Sequence, residues 1–66
     1  MSESDLWFVI FRDVNDGYRW RLRSVSGQTL ERSERGHIRK DTCLQEVQRL
    51  RTERYPNAQV RDVTTG

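Results

Sequence analysis

The feature that most constrains this chain is the run Gly17-Tyr18-Arg19-Trp20-Arg21-Leu22-Arg23. Side chains on a strand point alternately to the two faces of a sheet, so an unbroken alternation of large apolar and cationic residues is a strand with two unlike faces. Tyr18, Trp20 and Leu22 share one face, and Arg19, Arg21 and Arg23 share the other. A helix would smear the same residues around its circumference. A fold for this chain must give one side of the ribbon a core and the other an environment for three arginines.

The preceding segment supplies a partner. Residues 6–11, Leu-Trp-Phe-Val-Ile-Phe, form a continuous apolar run rich in aromatic and β-branched side chains, which reads as a strand. Being apolar on both faces, it suits a central or doubly covered position. Asp13-Val14-Asn15-Asp16-Gly17 is turn chemistry, because Asn, Asp and Gly tolerate the backbone angles of a tight hairpin. The register follows. Placing Arg12 opposite Tyr18 sets Ile10 against Trp20 and Phe8 against Leu22 on one side. Phe11 then faces Arg19, Val9 faces Arg21 and Trp7 faces Arg23 on the other. A slip of one residue would drive arginines among the apolar side chains. The second face is thus both aromatic and cationic, and a cation–π contact of Arg23 over Trp7 or Arg19 over Phe11, worth about 0.5–1 kcal/mol, is expected there.

Ser26-Gly27 marks the next turn and residues 28–33 a third strand. A two-residue turn would put Leu30 on the polar face. A three-residue loop with a bulge returns it to the core side and is preferred, since Leu30 is the only large apolar residue of that strand. After a loop through Gly36, His37 and Ile38, residues 40–54 carry Cys43, Val47 and Leu50, with Leu44 beside them, at helical spacing. This predicts an amphipathic helix of three to four turns, with Asp41 capping it or favouring its dipole from the first turn. Pro56 ends it, and residues 58–63 read as a short fourth strand. The expectation is an α+β, two-layer fold in the order β-β-β-α-β: a three-stranded antiparallel meander, one helix and a C-terminal strand. Residues 1–66 are read as one domain, with 1–5 and 64–66 as loose tails.

Size argues for company. A chain of 66 residues, one third apolar and one third charged, buries a small core, and cores of this size supply only about 3–5 kcal/mol unaided. One cysteine makes no internal disulfide, and one cysteine with one histidine makes no tetrahedral metal site. Self-association is the remaining source of buried surface, and a homodimer is expected. The first residues lack a basic region followed by an apolar run, and no stretch approaches the ~20 apolar residues of a membrane span, so a soluble cytoplasmic protein is expected, with no membrane partner.

Few residues invite chemistry. Cys43 near a helix start can be read as a thiolate, but its place on the stripe with Val47 and Leu50 favours a small core residue. His37 can be read as pairing with Cys43 or as a titrating switch; with no second metal ligand or carboxylate constellation nearby in sequence, it is taken as a loop histidine. Asp13 and Asp16 flank a turn and lack the ligand count of a calcium loop. No nucleophile–base pair, phosphate loop or cofactor motif is found, and no enzyme is expected. Arg19, Arg21 and Arg23 with Trp7 and Phe11 stand apart. Aromatics that stack bases beside arginines that meet phosphates are the physics of single-stranded nucleic-acid platforms. The plainer readings are a solvated face whose arginine stems cover apolar surface, or a face occluded in a dimer.

Several landmarks together resemble the YegP-like family, small domains without an assigned activity. They are Phe8-x-Ile10 followed by Arg12-Asp13, then Tyr18-Arg19-Trp20-Arg21-Leu22 and Gly27, then residues 33–40 with Gly36 inside. Cys43 and Val47 follow on the helix, and Pro56-Asn57-Ala58-x-Val60-x-Asp62 closes the set. The resemblance covers residues 6–63. It implies paired β-β-β-α-β units, in tandem or as a homodimer, forming one continuous sheet and exchanging their C-terminal strands; a single unit implies the dimer. It supplies no catalytic residues; from the residues themselves no cofactor is expected. His37 departs from the tyrosine usual in that family, Ser26 from an asparagine and Glu46 from a glycine. The reading is a homodimeric structural or interaction module of unknown activity, with a weak single-stranded nucleic-acid binder as the alternative.

Overall fold

The computed structural model describes residues 6–64. In chain order its elements are β1 (Leu6–Asp13), β2 (Gly17–Ser24), β3 (Thr29–Arg32), α1 (Lys40–Glu53) and β4 (Gln59–Asp62). The strands form one sheet in the order β3-β2-β1-β4. β1 and β2 pair antiparallel, as do β2 and β3, while β4 runs parallel to β1. The α+β expectation holds. The chain leaves the sheet at the β3 edge, and α1 carries it back across one face to the β4 edge.

The hairpin of β1 and β2 adopts the expected register residue for residue, from Trp7 opposite Arg23 to Arg12 opposite Tyr18. Its turn is held locally: Asp13 Oδ1 accepts from the backbone N–H groups of Asn15 (2.8 Å) and Asp16 (3.2 Å). Gly17 takes a φ of 88°, a region that L side chains rarely adopt. A Cβ on Gly36 would lie 1.7 Å from the Asp16 carbonyl oxygen, so the loop before α1 packs backbone to backbone against this turn. Tyr18 and His37 then exchange two backbone hydrogen bonds of 2.7 Å each.

One side of the sheet and one stripe of α1 make the core. Leu6, Phe8 and Ile10 of β1, Trp20 and Leu22 of β2, Cys43 and Val47 of α1, and Ala58 are buried together. Phe8 meets Trp20 and Tyr55 edge to face, at centroid separations of 5.5 and 5.9 Å. Each fully buried side chain of this size is worth about 1.5–3 kcal/mol. Arg39 caps α1 without a side-chain bond, so Asp41, in the first turn, acts on the dipole and not as a cap.

The third strand corrects one expectation. The loop after β2 does have three residues: Ser24 N–H donates to Gln28 O (2.9 Å) and Gly27 takes a φ of 88°. A bulge follows, but it falls at Leu30 itself, since Leu22 pairs with Glu31 and Arg23 with Thr29. Leu30 is turned out and is 48% exposed. Glu31 takes the inward place because the end of α1 needs an acceptor there: the Tyr55 hydroxyl and Arg54 Nη1 (3.2 Å) both donate to it. That hydrogen bond, first, and burial, second, raise the Tyr55 pKa above its ordinary value. The expected tails lie outside the described residues except for Thr64, which is tied to Asp62 Oδ1 through its N–H (2.8 Å) and hydroxyl (2.5 Å). Among the described residues no helix is long and apolar enough to cross a membrane.

Candidate functional site

Alternation along β1 and β2 sends Trp7, Val9, Phe11, Arg19, Arg21 and Arg23 to the face that α1 leaves uncovered. The register of the edge strands adds to it. Arg32 of β3 lies opposite Arg21, and Gln59 and Arg61 of β4 lie opposite Trp7 and Val9. The five residues singled out in the sequence therefore share one surface, together with two arginines that sequence alone did not assign to it. Their signal was present but unreadable, because placing Arg32 and Arg61 requires the bulge and the parallel pairing.

The three arginines of β2 differ in state. Arg19 is committed: its Nη1 lies 3.2 Å from Asp16 Oδ2 and 4.0 Å from Asp13 Oδ2, and its Nη2 donates to Ser33 O (2.9 Å). Arg23 Nη2 donates to Gly27 O at 2.9 Å. Arg21 lies over the Phe11 ring, its guanidinium carbon 5.0 Å from the centroid. The expected pairs, Arg23 with Trp7 and Arg19 with Phe11, do not form, because turn acceptors at both ends of β2 draw Arg19 and Arg23 away. Trp7 Nε1 donates to Gln59 Oε1 (3.2 Å), which ties the indole across the β1–β4 boundary. Two shallow hollows result. One, of about 180 Å³, is lined by Trp7, Val9, Arg23, Ser24 and Arg61. The other, of about 260 Å³, lies around Phe11, Asp13, Arg19, Trp20, Arg21, Thr29 and Arg32.

A second group sits at the covered face. Glu46 of α1 accepts from Trp20 Nε1 (2.5 Å) through one oxygen and lies 3.3 Å from His37 Nε2 through the other. His37 thus has a carboxylate partner nine residues away in sequence, on α1. The signal lay in Trp20. A core-facing indole needs an acceptor, and Glu46 flanks the stripe of Cys43, Val47 and Leu50. His37 and Glu46 touch each other across the loop and the helix. They line a cleft of about 370 Å³ with Trp20, Glu31, Arg35 and Arg49.

Cys43 is fully buried, and burial first, with Glu46 and Asp62 nearby, pushes its thiol up to about 11. It is a core side chain, not a poised nucleophile. Asp62 takes hydrogen bonds from Lys40 and Thr64, which hold its carboxyl down to about 2 and pin β4 to the first residue of α1. Among the described residues no three of the His, Cys, Asp and Glu side chains are grouped to hold a metal ion. No family model, no curated protein and no solved structure matches this chain.

Proposed function

We propose that this chain is a small, non-enzymatic, cytoplasmic interaction module that works as a homodimer, with β4 exchanged between the two copies. The observation that carries the reading is how β4 is attached. It is four residues long, lies at the sheet edge, and pairs only with β1. A short connector holding Pro56 joins it to α1. A β4 from a second copy would meet β1, Lys40 and the core through the same contacts, so exchange keeps every native pair. It also releases the tight connector, and short hinge loops favour such exchange. The small core supports the same reading, as does the resemblance to the YegP-like family, whose units occur in pairs.

Size-exclusion chromatography with light scattering at micromolar concentration is expected to report a dimer. Inserting a flexible Gly-Ser segment between Pro56 and Asn57 should convert it to a monomer with an unchanged far-UV circular dichroism spectrum. A parent chain that is already monomeric at that concentration overturns the dimer.

A further inference from the structure

We propose that the uncovered sheet face is a platform for single-stranded nucleic acid, with Trp7 and Phe11 stacking bases and Arg21, Arg32 and Arg61 meeting phosphates. The inference does not rest on the dimer. It starts from charge. The strands bring five arginines to this face (19, 21, 23, 32 and 61) against one strand carboxylate, Asp13, which already faces Arg19. Two copies docking through this face would oppose arginine with arginine. The complementary partner is an anion.

The arginines divide by availability. Arg19 and Arg23 are held by the turns at the two ends of β2. Among the described residues, Arg21, Arg32 and Arg61 make no ion pair and donate no side-chain hydrogen bond. Charged donors left free beside half-buried rings are what a phosphate chain requires.

The rings decide between anions. An acidic peptide needs the arginines but gains nothing particular from flat aromatic surfaces, whereas every base has a π-face to stack. Trp7 and Phe11 lie four residues apart on one strand, roughly 13 Å at the rise of a β-strand. Each lines its own hollow with arginines beside it. The indole of Trp7 is already oriented by Gln59. The Phe11 ring is topped by the Arg21 guanidinium, a plane on which bases also stack. A broad four-stranded face does not enter the major groove of a duplex, which admits a helix or a two-stranded ribbon. Splayed single strands fit it.

The test is fluorescence anisotropy of the full chain with a fluorescein-labelled oligothymidylate of about 12 nucleotides. An oligouridylate serves as a second probe to separate DNA from RNA; binding of either supports the platform. With about three phosphates engaged, affinity should fall roughly 20-fold between about 50 and 200 mM salt. The triple variant Arg21→Gln/Arg32→Gln/Arg61→Gln should bind at least about tenfold more weakly and lose most of that salt dependence. The double variant Trp7→Leu/Phe11→Leu should lose about tenfold or more while keeping the salt slope. Circular dichroism checks that both variants keep the parent fold. Polyglutamate or duplex competing as well as the single strand overturns the inference, as does unchanged affinity in both variants. Light scattering on the same samples separates the two proposals. A monomer that binds the strand removes only the exchange, and a dimer that ignores it removes only the platform.

Discussion

β1 and β2 present the same backbone to both sides of the sheet, yet the two sides handle polar groups in opposite ways. Toward α1 they place Phe8, Ile10, Trp20 and Leu22, all buried. Each polar group that enters that layer is given a partner: the Trp20 indole has Glu46 and the Tyr55 hydroxyl has Glu31. Away from α1 the same strands place Trp7 and Phe11 among arginines, of which Arg21, stacked on Phe11, makes no ion pair or hydrogen bond within the described chain. An unmet donor in a dry layer costs about 1–3 kcal/mol. The uncovered face carries such a cost at the buried Nε of Arg19 and of Arg21, and it holds its reserve of charge in Arg32 and Arg61, which are exposed.

The difference can be broken at matched positions. The largest effect is expected for Phe8→Ala, which removes a fully buried ring in contact with Trp20 and Tyr55; about 3–5 kcal/mol should be lost. Phe11→Ala, three residues along on the other face, should cost about 1 kcal/mol. Urea denaturation followed by circular dichroism compares them, and equal losses would mean that the uncovered face is packed in solution.

Glu46→Ala should cost about 1 kcal/mol, because the part-buried Trp20 donor and His37 both lose their acceptor. Glu46→Gln keeps an acceptor for the indole and should recover much of this, again read from urea midpoints.

Asp62 sets a smaller effect with a definite pH window. Its folded pKa, about 2, lies below the ordinary 3.8. A group depressed in this way adds stability above the ordinary value, and that stability is lost as pH falls from about 4 to about 2. Lys40→Ala should flatten this acid limb and cost about 0.5–1 kcal/mol at neutral pH; melting temperatures across that range check it. Arg21→Gln should be the mildest change, within about 0.5 kcal/mol of the parent. A larger loss would show that its stacking on Phe11 holds the sheet together.

Much of this was legible beforehand, for a local reason. The register of β1 against β2 follows from two alternations that tolerate only one alignment, and Cys43 was placed in the core by its spacing from Val47. Leu30 was misplaced because a bulge is decided by what waits across the layer, here Tyr55 and Arg54 reaching for Glu31. The pairing of His37 with Glu46 was missed because the loop and the helix meet only after Gly36 has packed against the turn at Asp16.

By itself, then, the alternation from Gly17 to Arg23 determined that this chain forms a sheet with one apolar and one cationic face, since a period of two leaves no other assignment. Only the tertiary structure decided that Leu30 turns out while Glu31 turns in, and that Arg32 and Arg61 join the cationic face. Those outcomes depend on a bulge and on a parallel pairing between the two ends of the chain. No local pattern encodes them, because their energy comes from contacts between residues far apart in sequence.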